Sequence, residues 1–243
     1  MKKLIIAILA FLPALTFAAS AVKLDQANYD LHDKASLQSG AKLFMNYCAG
    51  CHSTQYQRYN RVAEDLDIPE DVMKANLNFT GVPIGELMTN AIPEKDAAAW
   101  FGAPPPDLTL VARVRGADWL YTYLRSFYKD DSRPFGVNNL VFPSVGMPHV
   151  LEPLQGSATL KTQEHTVDGE QVTVPVGIEV AGNGELSTEE YDKAVLDIVN
   201  FLVYSADPVK LERHRIGYWV LGFLVIFFIF AYMLKKEYWR DVH

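Results

Sequence analysis

Apolar residues concentrate at the two ends of the chain and recur periodically between them. After Met1-Lys2-Lys3 comes a largely apolar run over residues 4–17, followed by small residues. A basic start, an apolar stretch and the A-x-A site Ala19-Ser20-Ala21 predict a secretory signal peptide over residues 1–21. Cleavage after Ala18 is the other option. The run is short for a membrane span. At the far end, residues 216–234 form a stretch of 19 without a charge, long enough to cross the hydrocarbon core. Tyr218 and Trp219 sit near one end and Tyr232 near the other, as interfacial aromatics do. Arg213 and Arg215 flank one side, and Lys235, Lys236 and Arg240 the other, so basic residues alone leave the orientation nearly balanced. The signal peptide decides it. Residues 22–210 are expected to be an exported domain. Residues 211–243 are expected to hold the transmembrane anchor and a short cytoplasmic tail.

Helical periodicity marks residues 37–47, where Gly40, Leu43, Phe44 and Tyr47 can share a face. Gly40 on such a face lets a second helix come close. That second helix opens at Ser187-Thr188-Glu189-Glu190 with a capping-box pattern from Ser187 to Glu190. Ala194, Val195, Ile198, Phe201 and Leu202 form its apolar stripe, and Pro208 stops it. The two helices are expected to cross. Residues 117–128, rich in aromatics, predict a further helix. Val172, Val174, Val176, Ile178 and Val180 alternate strictly, and Asp168-Gly169 is a turn signal, so residues 160–180 predict a β-hairpin insertion. Pro104-Pro105-Pro106 predicts a stiff extended loop. The fold class is mainly α, with loop and β-hairpin insertions and one C-terminal transmembrane helix.

Charge changes this picture little. The chain has 22 basic and 29 acidic residues, or −7 net, and loss of Lys2 and Lys3 with the signal makes it −9. An acidic exported face argues against nucleic acid and suits a basic soluble partner.

Chemistry enters with Cys48-Ala49-Gly50-Cys51-His52, the C-x-x-C-H pattern of covalent haem c attachment. Two thiols add to the two vinyl groups of one haem, and the adjacent imidazole meets the iron. These are the 2 cysteines of the chain. A thioredoxin-like dithiol belongs beside a βαβ pattern, which is missing around residue 48. A structural zinc site wants further thiolates, and no second C-x-x-C exists. A plain disulfide is the remaining competitor in an exported protein. The haem reading also calls for a second axial ligand. Met45 lies too close to the motif to reach across the ring. Met73 and Met88 lie in a polar, proline-punctuated stretch. Met147, within Phe142-Pro143-Ser144-Val145-Gly146-Met147-Pro148, sits in an apolar loop that can hold a sulfur rigidly. Met147 is the favoured ligand by placement, with His149 as its competitor.

Four features together resemble the cytochrome c1 family in its proteobacterial form, across nearly the whole mature chain. They are the motif from Cys48 to Ser53, the run Gly102-Ala103-Pro104-Pro105-Pro106-Asp107-Leu108, the run Val145-Gly146-Met147-Pro148, and the anchor. The resemblance implies a c-type cytochrome haem domain. One covalent haem c would be held by Cys48 and Cys51, with His52 and Met147 on the iron. It implies that the loop containing Pro105 lines the haem, and that Arg115, rather than Arg113, pairs with a propionate. It implies no catalytic residues of the chain's own. The protein would be a redox subunit of ubiquinol–cytochrome c oxidoreductase, the bc1 complex, in the inner membrane. Cytochrome b, the Rieske iron–sulfur protein and a soluble cytochrome c are the implied partners. Some relatives carry an extra disulfide, which this chain lacks the cysteines to form. Two alternatives stand beside this: a membrane-anchored monohaem cytochrome serving a terminal oxidase or another reductase, and a haem enzyme with an open sixth position.

Overall fold

The computed structural model describes residues 22–167 and 170–241. The signal peptide expected over residues 1–21 and the expected Asp168-Gly169 turn lie outside the described residues. In chain order the elements are α1 (Lys34–Tyr47), β1 (Thr54–Arg58), α2 (Tyr59–Asp65), α3 (Glu70–Asn76), β2 (Leu87–Met88), α4 (Glu94–Phe101), α5 (Val111–Arg115), α6 (Ala117–Leu124), β3 (Phe127–Lys129), β4 (Val137–Asn139), α7 (Glu152–Gln155), β5 (Ala158–Val167), β6 (Glu170–Val180), α8 (Thr188–Ala206) and α9 (Lys210–Tyr238).

α1 begins one turn before the residue that periodicity indicated, because the Asp33 side chain accepts the Ser36 N–H and caps it. α8 opens at the predicted capping box: the Ser187 hydroxyl accepts from Glu190 N–H, and the Glu190 carboxylate accepts from Ser187 N–H at 2.9 Å. It ends at Ala206, ahead of Pro208, whose ring cannot continue a helix. Ser187→Ala removes the acceptor for that N–H. A loss of about 1 kcal/mol of stability is expected, read as a lower urea midpoint. An unchanged midpoint would show that the cap contributes nothing.

α1 and α8 cross at Gly40. A Cβ there would lie 1.9 Å from the Asp197 carbonyl oxygen, so only hydrogen fits. Phe44 and Phe201 meet beside the crossing with ring centroids 5.4 Å apart. The Asp197 carboxylate is buried, and it accepts from Ser36 Oγ at 2.5 Å and Lys193 Nζ at 2.9 Å. Asn200 donates to the same Ser36 hydroxyl and accepts from Asp30 N–H. Asp197, Ser36 and Asn200 are therefore each partnered in this buried cluster, which avoids the cost of an unpaired polar group.

The helix predicted over residues 117–128 ends at Leu124. Phe127–Lys129 instead forms β3, paired antiparallel with β4 so that Phe127 faces Asn139. Aromatic residues favour a pleated, half-buried surface. The buried Asn139 also takes the Tyr123 carbonyl with its side-chain N–H at 2.8 Å, capping the helix there. The predicted hairpin forms as β5 and β6. Its register shifts where Lys161 pairs with Gly177 but Thr162 pairs with Pro175. Proline cannot donate to the ladder, and a bulge is where a strand tolerates it.

α9 has 29 residues, about 43 Å at 1.5 Å per residue, enough for the hydrocarbon core and part of both interfaces. Its apolar side chains are exposed on all sides, from Ile216 to Leu234. Among the described residues it is the one helix long and apolar enough to cross a membrane. Its first turns are tied to the domain. Lys210 Nζ donates to Tyr29 Oη at 2.7 Å and lies over that ring, and Arg213 pairs with Asp207.

Candidate haem-binding site

The C-x-x-C-H motif lies where α1 ends. The Cys48 N–H still donates to the Phe44 carbonyl, and the His52 N–H donates to the Cys48 carbonyl at 2.9 Å. This turn places Cys48, Cys51 and His52 on the wall of a cavity of about 490 Å³. Burial, and then the charge of Cys51, push the Cys48 thiol up to about 12, so it is neutral at pH 7.

The run Pro104-Pro105-Pro106 belongs to no helix or strand, and all three prolines line the cavity. The loop is docked on the motif. Leu108 N–H donates to the Ser53 carbonyl at 2.8 Å, and Asp107 accepts from the Gln55 N–H at 2.7 Å. The Pro106 carbonyl lies 2.7 Å from His52 Nδ1. A carbonyl only accepts, so Nδ1 carries the proton and Nε2 is left with its lone pair, the tautomer a metal-ligating imidazole needs. Burial lowers the His52 pKa, opposed by this hydrogen bond and by Asp107. Asn90 adds a second brace, donating to the Cys51 carbonyl at 2.7 Å. Pro106 rather than Pro105 makes the direct contact to His52. Its place in the proline run was visible in the sequence, whereas nothing near Asn90 marked it.

Met147 lies in the wall of the same cavity, with Val145, Gly146, Pro148 and Val150. Met45, Met73 and Met88 are buried in the core and do not line it. The Met147 loop is pinned at its start. Asn139 Oδ1 accepts from the Val141 and Phe142 N–H groups at 3.0 and 3.2 Å, and Asn138 Oδ1 accepts from Ser144 N–H at 2.8 Å. Ser144 is held at φ 64°, a left-handed turn that a non-glycine residue adopts only when its surroundings impose it. His149 is turned away. Its Nε2 pairs with Gln155 Oε1 at 2.8 Å, and its ring stacks on Phe127 at 4.8 Å.

α5 and α6 supply a further part of the wall, beside Ile198 and Leu202 of α8. Arg115 lines the cavity, and Arg113 does not. The Arg115 guanidinium lies 5.0 Å from the Trp119 ring centroid and 5.6 Å from that of Phe142. It has no carboxylate partner among the described residues, which leaves its fork free for an acidic group. Tyr123 is buried, and its hydroxyl donates to Met147 Sδ at 3.4 Å. Burial raises its pKa strongly. No sequence pattern distinguished Tyr123 from its aromatic neighbours.

The donor set fits a haem c. Two thiols and one imidazole with a free lone pair stand on one side, and a thioether stands on the same cavity's wall. Apolar side chains make up most of the lining, with one unpaired guanidinium. No cluster of three His, Cys, Asp or Glu side chains suited to a metal ion occurs among the described residues. That leaves the zinc alternative without support.

Comparison with known proteins agrees. Residues 25–242 match the Cytochrome C1 family. The chain is 54% identical to a cytochrome c1 of Allochromatium vinosum, with 100% of both chains covered. It is 47% identical to a Nitrosomonas europaea protein named ammonia monooxygenase gamma subunit, over 91% of this chain and 90% of that one. A Bradyrhizobium diazoefficiens protein named cytochrome b/c1 is 28% identical over 87% of this chain and 34% of its own length.

Proposed function

The chain belongs to the cytochrome c1 family, whose members carry one covalent haem c, and from that premise we propose the electron-transfer subunit of a respiratory bc1 complex. In this reading the subunit takes one electron from a Rieske iron–sulfur protein and passes it to a soluble cytochrome c. Cytochrome b is its membrane neighbour, a pairing to which the name of the Bradyrhizobium relative lends support. The isolated chain is a carrier; the oxidoreductase is the whole complex.

One observation carries the proposal: a single cavity brings together Cys48, Cys51, His52 and Met147, and the Pro106 carbonyl holds His52 in the metal-binding tautomer. The haem, when bound, supplies a one-electron couple. The protein's part is to hold it rigidly and set its environment. Cys48 and Cys51 would anchor it, and His52 and Met147 would supply a nitrogen and a sulfur ligand to its iron. Pro105 and its neighbours would wall it, and Arg115 would neutralise a propionate. A thioether in the sixth position gives a higher potential than a second imidazole, which suits an acceptor downstream of a Rieske centre. Residues 22–210 would stand in the periplasm and the end of α9 in the cytoplasm, as the signal sequence implies. The acidic balance of the chain would steer a basic acceptor to it.

The test is to extract tagged protein from its native membrane in mild detergent and measure co-purifying haems. More haem b than haem c, together with quinol-dependent cytochrome c reduction, is the expected result. Haem c alone, or c with oxidase-type haem, would place the subunit in another membrane complex. The name of the 47%-identical relative makes that comparison worthwhile.

A further inference from the structure

We propose that Tyr123 is a positioning residue for the Met147 sulfur, which it orients and electronically tunes through its hydroxyl. The inference rests on the reading of Met147 as an axial ligand. It goes beyond that reading by assigning a residue that no motif marks.

The geometry is specific. Tyr123 Oη donates to Met147 Sδ at 3.4 Å. A thioether sulfur is a weak acceptor, and a buried hydroxyl normally finds a better one. This hydroxyl has no other partner among the described residues, and the ring is only 9% exposed. Its aim is enforced from three sides. Trp119 stacks on the ring at 4.8 Å and 10°, and Phe127 meets it edge-on at 5.1 Å. Behind the ring, the Tyr123 carbonyl accepts from Asn139 Nδ2 at 2.8 Å. The same Asn139 side chain holds the first N–H groups of the Met147 loop. One buried amide therefore fixes both the donor's backbone and the acceptor's loop.

Thioether sulfur has two lone pairs. One can face a metal while the other accepts the phenolic hydrogen. A hydrogen bond to the second pair draws electron density from the sulfur and makes it a poorer donor to ferric iron. The reduced state gains relative to the oxidised one, so the bond raises the potential. It also holds the sulfur in one orientation, which slows its replacement by outside ligands.

The experiment uses the full-length holoprotein in detergent and compares wild type with Tyr123→Phe, which keeps the ring and removes the donor. Tyr121→Phe serves as a control, since Tyr121 lies under Arg125 and away from the cavity. Three quantities are read: the midpoint potential, the sulfur-to-ferric-iron charge-transfer band, and the rate of imidazole binding to the ferric protein. In Tyr123→Phe the band persists but shifts, and imidazole binds faster. The redox equilibrium moves roughly two- to fivefold towards the oxidised form, the scale of a weak hydrogen bond. At 59 mV per tenfold that is about 20–40 mV. An unchanged potential and band would overturn the proposal, even if thermal stability fell, because that is the signature of packing alone. An equal shift in Tyr121→Phe would overturn it too. A wild-type protein without the band would instead overturn the axial role of Met147, and this inference with it.

Discussion

Met147→His is expected to retain covalent haem c and to lower its midpoint potential by on the order of 0.2 V, within the ~0.8 V range that axial ligands span. Thioether sulfur is a weak donor that favours ferrous iron, and imidazole is a stronger donor that favours ferric iron. The thioethers would form at Cys48 and Cys51, at the end of α1 and outside the Met147 loop, so attachment is expected to be untouched. The Met147 loop is pinned by Asn138 and Asn139, which keeps the new side chain at the cavity wall. A fall of ~0.2 V exceeds a thousandfold in the electron-sharing equilibrium at 59 mV per tenfold. Quinol-dependent reduction of cytochrome c should slow accordingly. Redox titration of membranes is the measurement, and an unchanged midpoint would remove Met147 from the ligand set. His149 is the competitor that such a result would restore. Its engagement with Gln155 and Phe127 argues against it.

Gly40→Ala is expected to destabilise the domain by about 3 kcal/mol and to reduce the yield of covalent haem. Two effects oppose each other. Alanine in place of glycine favours a helix by about 1 kcal/mol. Against this, the added methyl would lie 1.9 Å from the Asp197 carbonyl oxygen, 2.6 Å from its carbon and 2.9 Å from Phe201 Cβ. The first two are backbone atoms of a packed helix and cannot swing aside. α1 and α8 must separate, so the clash wins. Separation also moves Ile198 and Leu202, which line the cavity on α8, and loosens the Ser36–Asp197–Asn200 cluster. For a domain of this size about 3 kcal/mol corresponds to roughly 6–12 °C in Tm. Thermal unfolding of the purified holoprotein checks it. A Tm equal to that of wild type would mean that the crossing has slack the geometry does not show.

Features written in neighbouring residues could be read directly from the chain. The Ser187 capping box, the alternation along β6, the apolar run within α9 and the Cys48–His52 motif each depend on residues a few positions apart. Local sterics and hydrogen bonding decide such features wherever the segment sits. The misplaced end of the helix over residues 117–128 shows where that stops. The aromatics that suggested its continuation pair as β3 with β4, ten residues further on, and Asn139 caps the shortened helix from a distance.

By itself, then, the sequence determined a mainly α fold with one long apolar C-terminal helix, a haem-attachment motif, and a short list of possible second ligands. Only the tertiary structure decided which sulfur reaches the cavity, because burying Met45, Met73 and Met88 in the core is a matter of global packing. It alone turned His149 towards Gln155 and left Arg115, not Arg113, on the cavity wall. It alone brought the Pro106 carbonyl to His52 and the Tyr123 hydroxyl to Met147. These contacts join residues 24 to 54 positions apart, a separation over which no periodicity or propensity carries information. Their geometry exists only once α1 and α8 have crossed at Gly40 and the loops have closed over them.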